Sequence, residues 1–128
     1  MHEKRIEIRW RDLDAYNHVN NAVYLTYLEE ARDEWLERSL GKEGSAWGYV
    51  LARVAIDFRR ELTQEDDIVV ASCSLAHLGS SSVTTREELR TTGGELAAEA
   101  EAVLVALDQQ GGKPRPLTES ERVALEQG

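Results

Sequence analysis

The chain has 128 residues, with 15 Lys and Arg against 24 Asp and Glu, a net charge of −9, and a single cysteine. This length suits one domain, residues 1–128, which buries roughly two-thirds of the surface its unfolded form exposes. The acidic balance argues against a nucleic-acid partner, whose phosphates demand surplus Lys and Arg, and no apolar run nears the ~20 residues of a membrane span. With lone Cys73 no intrachain disulfide forms, and with no apolar leader the expectation is a cytoplasmic protein.

Residues 4–11 alternate Ile6, Ile8 and Trp10 against Arg5, Glu7, Arg9 and Arg11, which predicts a half-buried strand. His2 falls in a frayed terminus. Residues 12–19 read as a loop, and Asn20 and Asn21 supply capping chemistry for a helix that runs to about Leu40 and stops at Gly41. Val23, Tyr24, Tyr27, Leu28, Ala31 and Trp35 form its apolar stripe, with Thr26, Glu30, Asp33 and Glu37 on the wet face. Its length, about 30 Å at 1.5 Å per residue, spans a whole sheet.

Residues 47–60 read as a long strand, 62–66 as a turn, and Ile68 to Leu78 as another strand. The Gly79-Ser80-Ser81-Ser82 turn leads to a strand from Val83 to Thr92, and Gly93-Gly94 signals a hairpin. Ala, Glu and Leu give residues 95–107 a helical propensity. The two-residue alternation from Ala98 to Val105, and the hairpin that precedes it, favour a strand. Thr118 and Glu121 form a capping box for a last helix over about 119–127. One helix and five strands joined mostly by tight turns make an α+β layer with an antiparallel sheet. A single helix leaves part of that sheet bare, so a second subunit is expected.

Motifs for nucleotide binding, a nucleophile elbow, HExxH and CxxC are absent from the sequence. Three scattered histidines make no zinc set, so neither a metal nor a cofactor is expected. The chemistry concentrates in residues 12–32, DLDAYNHVNNAVYLTYLEEAR. Asp12 and Asp14 precede a helix N-terminus, whose unpaired N–H groups polarise a carbonyl and hold an oxyanion. A nearby carboxylate attacks that carbonyl or activates water to do so. On spacing alone, simple capping and turn chemistry explains the same residues.

The stretch resembles the signature of the hotdog-fold acyl-CoA thioesterases, in particular the 4-hydroxybenzoyl-CoA thioesterase-like group with its long-chain bacterial acyl-CoA thioesterases. The matching elements are Asp14, His18-Val19-Asn20-Asn21, Tyr24, Glu29 and Ala31-Arg32, supported by the Leu78-Gly79-Ser80-Ser81-Ser82 turn. The resemblance implies a hotdog fold: a curled five-stranded antiparallel sheet around one long central helix, with a short C-terminal helix. It implies hydrolysis of an acyl-CoA to a carboxylic acid and CoA at an interface of a homodimer or homotetramer. Asp14 takes the role of nucleophile or general base, the backbone N–H near Asn21 polarises the carbonyl, and His18 belongs to the same catalytic group. Relatives often carry Gly where this chain has Asn17, a residue that tolerates a left-handed backbone. Asp12 reads as a turn or cap residue. Glu29 reads as structural, pairing near Arg32 or Asp33, or as a support that orients Asn20 or His18.

Asn17, Asn20 and Tyr24 are the candidates for contacts around the thioester. Arg59, Arg60, Ser81 and Ser82 are those for the pantetheine and nucleotide, with Arg86, Arg90, Lys113 and Arg115 as further cations. An acidic protein needs such a local basic cluster to hold a polyanion. Tyr24, Tyr27, Trp47 and Tyr49 are available to line an acyl pocket, while Cys73 alternates with Val69, Ala71 and Leu75 as a buried small hydrophobe. Two other functions remain open to sequence. One is a hotdog-fold enoyl-CoA hydratase or dehydratase using an Asp14–His18 pair; the other is a non-catalytic acyl-CoA-binding module.

Overall fold

Helix α1 (Asn21–Leu40) begins where Asn20 Oδ1 accepts the Ala22 N–H at 2.9 Å and ends at Gly41, whose φ of 52° suits a residue without Cβ. In the computed structural model, which describes residues 1–41 and 48–128, five strands surround it. They are β1 (His2–Glu7), β2 (Tyr49–Phe58), β3 (Ile68–Leu78), β4 (Ser82–Thr91) and β5 (Leu96–Ala106). All pairings are antiparallel, in the order β1-β3-β4-β5-β2. A final helix, α2 (Glu119–Gln127), carries the expected capping box between Thr118 and Glu121. This is the hotdog arrangement that the resemblance implied.

Alternation sets the two faces of the sheet. In β4, Val83, Thr85, Glu87, Leu89 and Thr91 point inward and are buried. In β5, sheet pairing overrides the helical propensity of the Ala and Glu residues, and Ala98, Ala100 and Ala102 join the interior. The core has two parts. Tyr24, Tyr27 and Leu28 anchor one under the first half of α1; Trp35, Leu36 and Leu40 anchor the other under its second half. Between them Arg32 lies against Glu87, with Nε–Oε2 at 2.8 Å and Nη2–Oε1 at 3.0 Å, both side chains almost wholly buried. Thr85 Oγ1 donates to the same carboxylate at 2.6 Å. Arg32 therefore pairs across to the sheet, not with Glu29, which is exposed.

Three local expectations need correction. The strand over 4–11 stops at Glu7, because Ile8 N–H donates to Asp67 O and Asp12 Oδ2 accepts the Arg9 N–H, turning Trp10–Asp12 into a single 3-10 turn. Trp10 consequently leaves the Ile6–Ile8 face and is 82% exposed. His2 is not frayed: it opens β1 opposite Cys73, and its Nε2 lies 3.1 Å from Glu34 Oε1. The strand predicted over 47–60 spans Tyr49–Phe58; Trp47 lies outside the described residues.

The bare part of the sheet expected from a single helix is visible at β2. This strand pairs with β5 along one edge only, and Val50, Leu51 and Phe58 are each close to half exposed. Helix α1 packs on β1, β3 and β4, leaving the inner side of β2 thinly covered.

Candidate active site

Residues 13–19 form a small hairpin that delivers the chain to α1. Leu13 bridges Val19, Asp14 N–H donates to His18 O at 2.8 Å, and Asn20 N–H donates to Asp12 O at 2.9 Å. The hairpin closes through Asn17 at φ 64°, the left-handed conformation that glycine adopts freely and Asn tolerates. Asp14 is half-buried. Its Oδ1 accepts the Tyr16 N–H at 2.8 Å and the His18 N–H at 3.3 Å, so one carboxylate oxygen is fixed by backbone donors. Among the described residues its Oδ2 has no protein donor.

At the helix start the Ala22 N–H goes to Asn20 Oδ1 and the Val23 N–H to Asn20 O. Among the described residues the Asn21 N–H has no acceptor, and Asn21 is exposed. One unspent donor therefore stands at the positive end of a 20-residue helix, beside the hairpin that carries Asp14.

His18 joins Asp14 only through backbone. Its ring turns to Glu61, with Nε2–Oε2 at 3.3 Å, and its backbone bridges Thr63. That geometry does not supply the Asp–His side-chain pair a hydratase reading asks for. Asn17 and Asn20 are exposed, Asn20 spending its amide oxygen on the helix cap. Tyr24 is buried: its hydroxyl donates to Arg60 O and accepts from Leu62 N–H, both at 2.9 Å, and its ring meets Phe58 edge-on at 5.2 Å. It ties the first turn of α1 to the end of β2.

Arg59 and Arg60 follow Phe58 at this same end. Arg60 is held by Asp66 at 3.1 Å and Glu95 at 3.0 Å, whereas Arg59 is half exposed near Asp57 and Glu99 at longer range. Ser81 and Ser82 lie at the other end: Ser82 pairs with Val105, which pairs with Val50. A ten-residue strand separates them from the Asp14 end within one chain, about 30 Å. Arg90 is held by Glu88 and Gly94 O, and Arg115 by Glu121, while Arg86 lines a groove on the outer face of the sheet and Lys113 is exposed. Glu29 faces solvent. Cys73 is fully buried, and burial pushes its thiol pKa up, away from nucleophilic use.

Two features escaped the sequence. A cleft of about 460 Å³ flanks the hairpin, lined by Asn17, His18 and Thr63 and walled by Trp10 and Tyr16, both about four-fifths exposed. Trp10 was hidden by its fit to the strand alternation. The other feature is a buried bond of 2.6 Å from Tyr27 OH to Asp12 Oδ2. Tyr27 fits the apolar stripe so well that its hydroxyl carries no separate signal. Among the described residues no group of three or more His, Cys, Asp and Glu is placed to hold a metal ion, and no helix is long and apolar enough to cross a membrane.

The sequence pattern of the thioesterase-like superfamily matches residues 8–125. The long-chain acyl-CoA thioesterase FadM of Escherichia coli K12 is 30% identical over 98% of this chain and 97% of its own. A thioesterase from Thermus thermophilus, solved with coenzyme A and Zn, superposes with a TM-score of 0.89 at 35% identity, covering 98% of this chain and 92% of that one. A probable thioesterase from Escherichia coli, YbaW, superposes with a TM-score of 0.85 at 30% identity, covering 99% and 98%.

Proposed function

The chain belongs to the thioesterase-like superfamily, and on that premise we propose that it is an acyl-CoA thioesterase with Asp14 as its catalytic carboxylate. The observation that carries the reading is the unspent Asn21 N–H at the start of α1, beside a carboxylate with one oxygen pinned by backbone and the other free. The thioester carbonyl oxygen takes the Asn21 N–H and the helix's partial positive charge, which favour the oxyanion over the ground state. Asp14 Oδ2 then attacks the carbonyl carbon, forming an anhydride and expelling the CoA thiolate, and water hydrolyses the anhydride. Alternatively Asp14 takes a proton from water as the oxygen adds, then returns it to the departing sulfur. Either route yields a free acid and CoA. His18 acts through its backbone, holding Asp14 Oδ1, and through its ring, shaping the floor beside Glu61.

The cleft beside Asn17 and His18 takes the substrate's approach, and Asn17, Asn20 and the Tyr24 backbone region border the thioester. Arg59 at this end makes no bond shorter than 3.6 Å to a carboxylate, so it is placed to meet a phosphate, with Arg60 behind it fixed by Asp66. Ser81 and Ser82 reach the same site only from a second copy. Antiparallel pairing of two β2 edges sets the Val50 end of one against the Phe58 end of the other, and leaves Ser82 about three strand spacings, about 14 Å, from the partner's Phe58 position. A homodimer through β2 also covers Val50, Leu51 and Phe58.

The test is thiol release from short-chain, long-chain and aromatic acyl-CoAs by the wild type and by Asp14→Asn. Release by the wild type and its loss in the variant are expected. Release unchanged in Asp14→Asn overturns the assignment of the catalyst, and no release by folded wild type from any substrate overturns the activity.

A further inference from the structure

We propose that Asp12 and Tyr27 are a positioning pair that sets Asp14 against the start of α1; the proposal rests on Asp14 being the catalytic carboxylate. Both side chains are buried, Asp12 5% exposed and Tyr27 not at all, so neither meets substrate. Asp12 grips the helix twice. Its carbonyl accepts the Asn20 N–H at 2.9 Å, and its Oδ2 accepts the Tyr27 hydroxyl at 2.6 Å. Asn20 and Tyr27 stand seven residues apart, about 10 Å along the axis. Two anchor points at that spacing fix the helix end in both translation and rotation relative to the 12–14 segment. The same Oδ2 also accepts the Arg9 N–H at 2.9 Å, which ties the grip back to the 3-10 turn and the end of β1.

The catalytic groups hang directly from this clamp. Asp14 lies two residues after Asp12, and the Asn21 N–H follows the Asn20 cap that Asp12 holds. No other side-chain bond joins the 12–14 segment to α1 among the described residues. A misplacement of about 1 Å between nucleophile and carbonyl lowers a rate by one to two orders of magnitude, so a clamp here acts on turnover. Its charge state is robust. Burial pushes the Asp12 carboxyl up, but the bonds from Tyr27 and Arg9 outweigh it and hold the group below its ordinary range. Burial and that carboxylate push the Tyr27 hydroxyl up, so the pair keeps one ionised partner and one neutral partner across the working pH range.

A built-in control exists in the middle of the sheet, where Thr85 Oγ1 donates to buried Glu87 Oε2 at the same 2.6 Å. Steady-state thiol release and thermal unfolding are measured for Tyr27→Phe, Thr85→Val, Asp12→Asn and Asp12→Ala. Tyr27→Phe lowers kcat roughly tenfold with KM within about twofold, as expected for a group that positions the reacting atoms. Thr85→Val loses stability as well and keeps its kcat. Asp12→Asn retains an oxygen acceptor and most of kcat, while Asp12→Ala falls at least as far as Tyr27→Phe, and adding Tyr27→Phe to it lowers kcat no further. An unchanged kcat in Tyr27→Phe overturns the proposal, as does an equal fall in Thr85→Val. An inactive wild type overturns the thioesterase reading itself, which separates the two failures.

Discussion

Each end of the sheet holds a tyrosine hydroxyl 2.6 Å from a buried carboxylate, and the two carboxylates are built alike. Asp12 accepts the N–H three residues before it, from Arg9, and Glu121 that of Thr118, but only Thr118 returns the bond through its hydroxyl, so the capping box is complete at Glu121 alone. What also differs is their surroundings. Glu121 also receives both guanidinium nitrogens of Arg115, at 2.8 Å each, and closes the loop before α2 onto β2. Asp12 has only the distant Arg9 guanidinium, 3.6 Å away, and its neighbours are Asp14 and the helix start. The same device therefore does two jobs. A carboxylate saturated by an arginine fastens a terminal element; one held by a tyrosine and backbone sets, on our proposal, the angle between Asp14 and the start of α1.

That contrast can be broken in several ways. The largest effect is expected from Asp14→Asn, which leaves both clamps intact: thiol release falls at least about 1000-fold while the unfolding temperature stays within error. Next comes the pair that lies between the two ends. Arg32→Met strands Glu87 as a buried, unpaired charge, and denaturant unfolding should show a loss of about 3–5 kcal/mol. At the C-terminal end, Glu121→Ala costs about 2 kcal/mol and leaves kcat unchanged wherever the protein remains folded.

Acid titration sharpens the same point. Hydrogen bonding from Arg115 holds the Glu121 carboxyl at about 2, against an ordinary value of 4.5. A group lowered on folding contributes stability above its unfolded pKa and loses it as pH falls, so this contribution is complete above about pH 5 and fades toward pH 2. Unfolding followed by pH in Glu121→Gln should show a shallower acid limb than the wild type. The smallest effect is the roughly tenfold fall in kcat for Tyr27→Phe, which accompanies the loss of stability that removing a buried hydrogen bond brings.

Much of this was legible beforehand. Period two in 68–78 and 98–105, the Gly93-Gly94 turn, the Asn20 cap and the Thr118–Glu121 box are local signals, and local signals set β3, β5, α1 and α2. The hairpin before α1 was legible through Asp14 and the HVNN block, and the left-handed Asn17 followed from the turn it must make. What sequence could not carry was the choice among partners distant in the chain. Arg32 selects Glu87, 55 residues on, over the nearby Glu29, because only Glu87 points into the same dry interior. Trp10 fitted the strand period but left it, because the hydrogen bond from Arg9 N–H to Asp12 outbid one more rung of sheet. Tyr27 and Tyr49 read as core or as lining for an acyl pocket, since periodicity reports where a ring lies and not where its hydroxyl donates.

The half-exposed apolar edge of β2 has a further consequence, for how the protein behaves in a test tube. If the Ser81–Ser82 turn of one copy completes the site of another, catalytic competence is a property of the assembled pair. Specific activity then depends on enzyme concentration. It holds steady well above the dimer dissociation constant, declines on dilution through it, and recovers when substrate that spans both copies draws them together again.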